Sequence, residues 1–174
     1  MCQVRVQQVL RNLDHRSREA RTMRYWVNVI SSNHVKKGIE GGFTQYGHGK
    51  RAALERLSPG DVIIFYSARE TIARNSPAVQ RFTAHAKVSE TPVYRMELSS
   101  TFKPWRKDVE FTPESKFRSV DIRPLIGKLD FIRDKKHWGV AFRRGLFELP
   151  EKDYQVIEKE MFATEPKGRS EKVT

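Results

Sequence analysis

Two stretches in the first half of the chain carry the clearest pattern of apolar and polar positions. Residues 24–31 (RYWVNVIS) alternate between the two classes, which is typical of a strand. Residues 62–66 (VIIFY) form a continuous apolar run of β-branched and aromatic side chains, which is typical of a strand covered on both faces. Pro59-Gly60-Asp61 is a strong turn signal before this run, because proline presets φ and glycine tolerates positive φ.

Weaker patterns predict the remaining elements. Apolar residues at helical spacing, or capping residues at the start of a segment, predict four helices. Further apolar and alternating segments predict three more strands, of which the first two pair antiparallel across residues 89–92. The predicted helices cover about residues 32–37, 50–57, 120–129 and 151–162, and the predicted strands cover about residues 79–88, 93–98 and 140–145.

Many short strands with a few short helices at the rim predict an α+β fold, a small mixed β-barrel flanked by short helices. The length of 174 residues fits one domain of roughly 140 residues with tails. We expect residues 1–22 to be an appended basic segment outside the native start, with Met23 as the candidate start. Residues 23–163 then form the domain and residues 164–174 a polar tail.

The chain is strongly basic, with 33 Lys and Arg against 21 Asp and Glu, a net charge of +12 and a pI of about 10.0. The first 22 residues hold five arginines and two carboxylates, so the rest of the chain keeps a net charge of +9. This excess favours a polyanionic partner, of which nucleic acid is the commonest. The alternative is a basic protein that has no such partner.

Cysteine usage and hydropathy exclude several classes of protein. The single cysteine, Cys2, rules out a disulfide framework within the chain and a cysteine-based metal site in its body. A reducing, cytoplasmic setting fits this usage. No apolar run approaches the ~20 residues that span a bilayer, so we expect no membrane partner.

Two basic and aromatic segments are candidates for nucleic-acid binding. Residues 43–51 (FTQYGHGKR) form a glycine-rich aromatic loop whose backbone amides and following helix start could meet an anion. Residues 102–107 (FKPWRK) interleave aromatic rings with cations, which suits base stacking together with phosphate contact. The alternative for this second segment is a hairpin edge that packs on the barrel.

An enzyme is the competing interpretation, and the signals for it are weak. The five histidines are scattered without metal-ligand or His-x-Glu spacing, and no Walker-type loop is present. A nucleic-acid-processing activity would use His48, Lys50 and a carboxylate such as Asp61. A third class is an interaction scaffold whose charge only aids solubility.

Five segments of the chain, in their order and spacing, resemble the EVE domain, a family of the PUA-like superfamily. The chain looks like the short, single-domain bacterial branch of that family, the UPF0310 group, over about residues 23–163. The segments are residues 25–31 (YWVNVIS), 42–43 (GF), 46–50 (YGHGK), 57–67 (LSPGDVIIFYS) and 142–149 (FRRGLFEL).

The resemblance implies a PUA-like β-barrel with flanking helices, similar to the YTH domain, which holds a methylated adenine in an aromatic cage. It implies a non-catalytic reader of a modified base in DNA or RNA, without a cofactor or a metal. It leaves the oligomeric state open, with a monomer as one option. A flipped base needs flat apolar walls and a few hydrogen-bonding groups at its edge.

The resemblance places the pocket between the first strand and the loop at residues 43–49. This loop leads through a short helix and the turn at residues 59–61 to the next strand. The matching pocket positions are Trp26, Asn28, Ser31, Asn33, Phe43, Tyr46, His48 and Tyr66. Residues expected to contact the phosphate backbone are Lys50, Arg51, Arg69, Trp105, Arg106, Lys107, Arg143 and Arg144. Core packing is the alternative for Trp26 and Tyr66, and a solvated helix face for Lys50 and Arg51.

Overall fold

A computed structural model describes residues 22–46 and 50–163 of the protein. Its strands are β1 (Tyr25–Val29), β2 (Phe43–Thr44), β3 (Val62–Arg69), β4 (Ala78–Val88), β5 (Tyr94–Arg95), β6 (Trp105–Phe111), β7 (Val120–Asp121) and β8 (Leu146–Leu149). Its α-helices are α1 (Ser32–Gly41), α2 (Arg51–Glu55) and α3 (Glu151–Met161), with 3-10 helices at Glu114–Lys116, Arg123–Leu125 and Trp138–Arg144.

The strands form one curled mixed sheet in the order β2-β6-β4-β3-β1-β8, with β5 paired to β6 and β7 paired to β4. The pair β1–β3 is parallel, and the other pairs are antiparallel. In the parallel pair Val29 lies opposite Tyr66, so both strands end at the same edge of the sheet. The predicted α+β fold, a small mixed barrel with short helices, is confirmed.

Both faces of the central strands are buried, which is the reason for the continuous apolar run in β3. One side, here called the α3 face, packs Val27, Ile64 and Tyr66 against α3 and the 3-10 helices. The other side, the α1 face, packs Trp26 and Ile63 against α1 and α2. Alternate residues of each strand point to opposite faces, so each strand contributes to two separate cores.

Three predicted elements differ from the structure, and long-range pairing explains the first two. Residues 140–145 are not a strand but lie in and just after the 3-10 helix Trp138–Arg144. That helix ends at Gly145, whose φ of 72° turns the chain, and the following residues pair with β1 as β8. Strand β5 has only two residues and pairs with β6 rather than with β4, because β4 is already paired with β3, β6 and β7.

Helix α3 confirms its prediction, whereas the helix predicted over 120–129 is reduced to β7 and one 3-10 turn. The apolar spacing of that segment still serves the core, since Leu125 and Leu129 are buried. Residues 1–21 and 164–174 lie outside the described residues, so the proposed domain limits stay a prediction.

A buried carboxylate fixes the start of the parallel pair. Asp61 is 1% exposed, and its Oδ2 accepts hydrogen bonds from the Trp26 indole at 2.9 Å and from the Ser58 backbone N–H at 3.0 Å. Both carboxylate oxygens also accept from Arg24, through its guanidinium and its backbone N–H, each at 3.2 Å. The guanidinium groups of Arg24 and Arg56 lie over the Trp26 ring, each 4.9 Å from its centroid. Trp26 and Asp61 therefore hold β1 against β3.

A second, partly buried polar network joins the sheet to α3. His85 Nδ1 lies 2.8 Å from the Thr112 hydroxyl, and its Nε2 lies 3.2 Å from the Tyr154 hydroxyl. The Tyr154 hydroxyl donates to Glu158 at 2.6 Å, so it accepts a hydrogen bond from His85 Nε2–H. Burial lowers the pKa of His85, and the nearby Glu158 opposes this only in part. The folded protein therefore favours neutral His85.

We expect Asp61→Ala to destabilise the protein by about 3–5 kcal/mol, because the Arg24 cation and three N–H donors lose their buried acceptor. Urea denaturation of wild type and variant measures the difference. Asp130→Ala is the matched control, since the Asp130–Lys152 ion pair is exposed and should contribute little. Equal midpoints for both variants would contradict the role assigned to Asp61.

We expect the free energy of unfolding to fall as the pH drops below 6.5, the ordinary pKa of histidine. Below that pH the unfolded chain binds a proton at residue 85 that the folded chain binds only at lower pH, so acid favours unfolding. His85→Gln should weaken the dependence between pH 6.5 and 5. The pKa of His34 is lowered too and leaves a residual slope. An unchanged slope in the variant would refute the assignment.

Candidate binding site at the carboxyl end of the parallel strands

The carboxyl ends of β1 and β3 bring three distant segments of the chain together. The backbone N–H of Val29 donates to the Gly145 carbonyl at 2.9 Å, which holds the turn before β8 against the end of β1. The backbone N–H of Asn33 donates to the Glu70 carbonyl at 3.0 Å, which holds the start of α1 beside the end of β3. Carboxyl ends of parallel strands commonly form ligand crevices, because the chain leaves the sheet there.

Asn28 lies near the carboxyl end of β1 and is fully buried. Its Nδ2 donates to the Thr44 hydroxyl at 2.9 Å and to the Gln45 carbonyl at 3.3 Å. The Gln45 carbonyl only accepts, so the amide orientation is fixed by this bond. The other amide atom, Oδ1, is buried and has no hydrogen-bond partner among residues 22–46 and 50–163. A buried acceptor left unpaired costs about 1–3 kcal/mol, so a donor that reached it would stabilise the site.

Tyr46 crosses from the β2 edge of the sheet to the β8 edge. Its hydroxyl donates to the Arg144 carbonyl at 3.3 Å. Its ring lies against Gly145, where any Cβ atom would overlap the ring. Glycine at position 145 thus serves two requirements, the positive φ and the close approach of Tyr46. Residues 47–49 of the same loop, including the predicted site residue His48, lie outside the described residues.

Phe43 and Trp105 each lie against arginine side chains. The Arg106 guanidinium is 3.6 Å from the centroid of the half-buried Phe43 ring, and its Nε donates to the Gln45 side chain at 3.3 Å. The Arg51 guanidinium is 4.9 Å from the centroid of Trp105. Cations over ring faces are attracted by the ring quadrupole. The aromatic and basic residues predicted from two separate segments therefore meet in space.

A polar cluster stands at the start of α1. The Ser31 hydroxyl donates to Asn33 Oδ1 at 2.6 Å and lies 2.7 Å from His34 Nδ1. A hydroxyl carries one hydrogen, so in this arrangement His34 Nδ1–H donates to the Ser31 oxygen. Burial, followed by the charge of Lys37, lowers the pKa of His34 and keeps it neutral near pH 7. His34 was not predicted as a site residue, although its i, i+3 spacing from Ser31 is a signal.

Two predicted pocket residues are not brought to this site. Trp26 is buried near the opposite end of β1 from the site, beside Asp61, and is core. Tyr66 is 1% exposed on the α3 face, where it stacks on Phe142 with centroids 3.8 Å apart. Asn28 is in register with Phe65 and shares the α1 face with it, so Tyr66 points to the other side. The alternative of core packing holds for both rings.

The residues predicted to contact phosphate fall into two groups, those engaged within the protein and those that are exposed. Lys107 is 4% exposed, its Nζ donates to the Thr91 carbonyl, and burial lowers its pKa, so its charge does not face a ligand. The Arg144 guanidinium lies over the Phe147 ring at 4.0 Å, directed away from Tyr46. Lys50 and Arg143 are exposed, and Arg69 ends β3. Lys50 follows the Tyr46 loop, to which its backbone N–H donates at 3.3 Å.

The enzyme alternative loses its carboxylate, because Asp61 is buried at the amino end of β3 and holds Trp26 and Arg24. A cavity of about 790 Å³ at that end is lined by Asp61 and its neighbours, and none of the predicted pocket residues lines it.

Within residues 22–46 and 50–163, no group of three or more His, Cys, Asp or Glu side chains could hold a metal ion. No helix in the same residues has the length and hydropathy to cross a membrane.

Comparisons with known proteins give one consistent family. The family model described as EVE domain matches residues 24–160. A UPF0310 protein of Mycolicibacterium gilvum is 41% identical over 141 residues, which cover 80% of this chain and 96% of the relative. The UPF0310 protein YdcG of Bacillus subtilis is 39% identical over 137 residues, covering 79% of this chain and 91% of the relative.

Solved structures show the same fold at low sequence identity. The crystal structure of Atu2648 from Agrobacterium tumefaciens aligns with a TM-score of 0.52 and 15% identity, covering 84% of this chain and 99% of that one. The NMR structure of Rpa0253 from Rhodopseudomonas palustris has a TM-score of 0.52 and 11% identity, covering 80% of this chain and 93% of that one. These likenesses support the fold alone.

We expect Gly145→Ala to destabilise the protein by more than the about 1–2 kcal/mol that a left-handed backbone costs a residue with a side chain, because the new methyl group also displaces Tyr46. Urea denaturation measures the effect. Gly127→Ala is the matched control, since open space surrounds that position and its φ is not in the left-handed range. A loss of the same size at both positions would contradict the packing described for Tyr46.

Proposed function

The chain belongs to the EVE domain family, and on that premise we propose that it binds DNA or RNA and reads one modified base without catalysing a reaction. The reading site is the Asn28 site, defined as Asn28 with Phe43, Tyr46 and the Ser31–His34 cluster. Trp26 and Tyr66 support this site from the core and do not touch the base.

The unpartnered Oδ1 of Asn28 is the observation that carries the proposal. It is a fully buried hydrogen-bond acceptor near the carboxyl end of β1. Cytosine and adenine both present an exocyclic amino group as a donor on the base edge. A base that donated this N–H to Oδ1 would satisfy the acceptor and recover about 1–3 kcal/mol. A base with no N–H donor in that place would leave the acceptor unpaired.

Tyr46 follows Gln45, whose carbonyl accepts from Asn28, and its ring supplies a flat wall over Gly145. Phe43 precedes Thr44, whose hydroxyl meets Asn28, so its ring lies on the other face of β2, backed by Arg106, where it can stack an adjacent base. Stacking of one base on an aromatic ring contributes about 1–3 kcal/mol. A methyl group on the base adds about 0.8 kcal/mol when its carbon is buried. A base must leave its helical stack to reach such a site, so single-stranded substrates should bind without the cost of unpairing.

The surrounding charge supplies affinity that does not depend on sequence. Lys50, Arg51 and Arg106 lie along the loop and the strand that border the site, and Trp105 is placed to stack a neighbouring base. Cationic side chains that neutralise phosphates release counterions, so binding weakens steeply as salt rises. The hydrogen bond and the stacking at a buried site are screened much less. Discrimination between bases should therefore persist at salt concentrations where overall affinity falls.

We expect a modified single-stranded oligonucleotide to bind more tightly than its unmodified match. Fluorescence anisotropy titrations at two salt concentrations measure this, with one methylated cytosine or one methylated adenine per strand. Tyr46→Leu and Phe43→Leu should each lower the affinity for the modified strand by about fivefold or more, the equivalent of about 1 kcal/mol of stacking. Tyr46→Leu should also bring the ratio of the two affinities, about fourfold for one buried methyl carbon, toward one. Negligible and equal binding of all strands by the wild type would overturn the proposal.

Tyr46→Phe is the matched control, since it keeps the ring and removes only the hydrogen bond to the Arg144 carbonyl. It should retain most of the discrimination that Tyr46→Leu loses. Thermal unfolding of each variant separates a lost site from a lost fold. A scaffold protein would instead show no preference among oligonucleotides and would recover protein partners after nuclease treatment.

A further inference from the structure

A second basic surface lies at the same end of the sheet, on the α3 face. It is a groove of about 690 Å³ between the end of β3 and the 3-10 helix Trp138–Arg144, here called the Arg143 groove. Its lining includes Arg69, Lys136, Trp138, Val140 and Arg143. Trp138 is half-buried and the other four side chains are exposed.

The charge of the groove is one-sided. Three of its lining residues are Lys or Arg, and no Asp or Glu lines it. The Arg69 guanidinium donates one hydrogen bond to the Ser76 carbonyl at 2.6 Å and is otherwise available. In the described part of the chain, no ion pair engages Lys136 or Arg143. One carboxylate, Asp134, lies 2.8 Å from the ring of the lining residue His137, so the three cations exceed the counter-charge beside them. Such an excess of like charge favours an anionic ligand.

Hydrogen bonds to Asp134 and the packing of Trp138 hold the groove in shape. The Asp134 carboxylate accepts hydrogen bonds from the backbone N–H groups of Lys136 and His137, each at 3.0 Å, and this fixes the turn that carries Lys136. The edge of the Trp138 ring packs on Phe142 at 6.2 Å, and Phe142 stacks on the buried Tyr66. The indole is therefore a positioned flat surface beside three cations, a combination that suits a nucleic-acid strand.

Short backbone links join the groove to the Asn28 site. Arg143 stands two residues before Gly145, against which Tyr46 packs and to which Val29 is hydrogen-bonded. Arg69 is followed by Glu70, whose carbonyl accepts from Asn33 at the start of α1. The groove and the site thus lie at the same end of the parallel pair, the groove on the α3 face and Asn28 on the α1 face. A strand that places one base at Asn28 would have to continue around this end of the parallel pair to bring its neighbouring phosphates to the groove.

We propose that the Arg143 groove binds the phosphodiester backbone next to the base that is read, with Trp138 stacking an adjacent base. This inference rests on the proposed function and deepens it. The groove is indifferent to the modification, because cations on phosphates carry no base information. Affinity and discrimination are therefore separable, the first residing largely in the groove and the second in the Asn28 site.

The test is the double variant Lys136→Gln/Arg143→Gln in the full chain, titrated with modified and unmodified oligonucleotides over a range of salt. We expect both affinities to fall by the same factor, about tenfold at low salt, and their ratio to stay unchanged. The slope of log affinity against log salt should become shallower by about 1.4, because each phosphate contact on a single strand contributes about 0.7. Each single variant should give about half of that change.

The control is Lys128→Gln/Lys159→Gln, which removes the same charge from exposed positions outside the groove. It should change the slope less than the groove variant does. Inorganic phosphate, at a concentration equal to the total phosphate of the oligonucleotide, should not displace the strand. Displacement by phosphate would indicate a site for a single anion and overturn the phosphodiester assignment.

The two proposals fail in different ways. If the wild type binds and discriminates but the groove variant keeps its affinity and its slope, the groove inference is overturned and the Asn28 site stands. If the groove variant loses discrimination without a change of slope, the division of roles is likewise overturned. If the wild type binds no oligonucleotide, the proposed function fails and the groove inference fails with it.

Discussion

The buried carboxylate of Asp61 is the constraint on which the arrangement of this protein depends. It joins the Trp26 indole, the Arg24 cation and the turn before β3 in one hydrogen-bonded group. Two parallel strands cannot be linked by a tight turn, so their relative position must be set by long-range contacts. Asp61 provides such a contact at the amino ends of β1 and β3. With the register set there, Val29 and Tyr66 meet at the other end, and the candidate site forms where the chain leaves the sheet.

The central strands contribute to two cores, so their aromatic residues pack on opposite faces of the sheet. Tyr66 stacks on Phe142 and so supports the floor of the Arg143 groove, whereas Trp26 closes the α1 face beside Asp61. Neither ring is exposed to a ligand, yet each supports a surface for which we propose a binding role. At the sheet end the Tyr46 loop bridges the β2 and β8 edges, and Gly145 makes that crossing sterically feasible. The base-reading and phosphate-binding surfaces that we propose follow from this division.

The chemistry of the site combines a buried, short-range term with an exposed, long-range one. Asn28 presents a buried acceptor that no described residue pairs, and in the function that we propose a single hydrogen bond to it distinguishes one base edge from another. The cations around Trp105 and in the Arg143 groove act through water and over distances near the Debye length. In our proposal the first term carries selectivity and the second carries affinity, and salt affects them to different degrees. A neutral His34 at the start of α1 adds polarity near the site without adding charge.

The sequence alone determined the α+β class, the doubly buried β3, the turn at residues 59–61, the basic surface and the family, because these depend on local pattern, composition and the order of motifs. It also predicted a binding region with Asn28, Phe43 and Tyr46 among its residues, and this assignment stays a prediction. Only the tertiary structure decided that Trp26 and Tyr66 are core, that Lys107 is buried, and that residues 140–145 belong to a 3-10 turn rather than to a strand. Where both faces of a strand are apolar, alternation shows that neighbouring side chains point apart but not which face meets a ligand. That choice is made by partners far away in the chain, such as Phe142 for Tyr66 and Asp61 for Trp26, which no local pattern encodes.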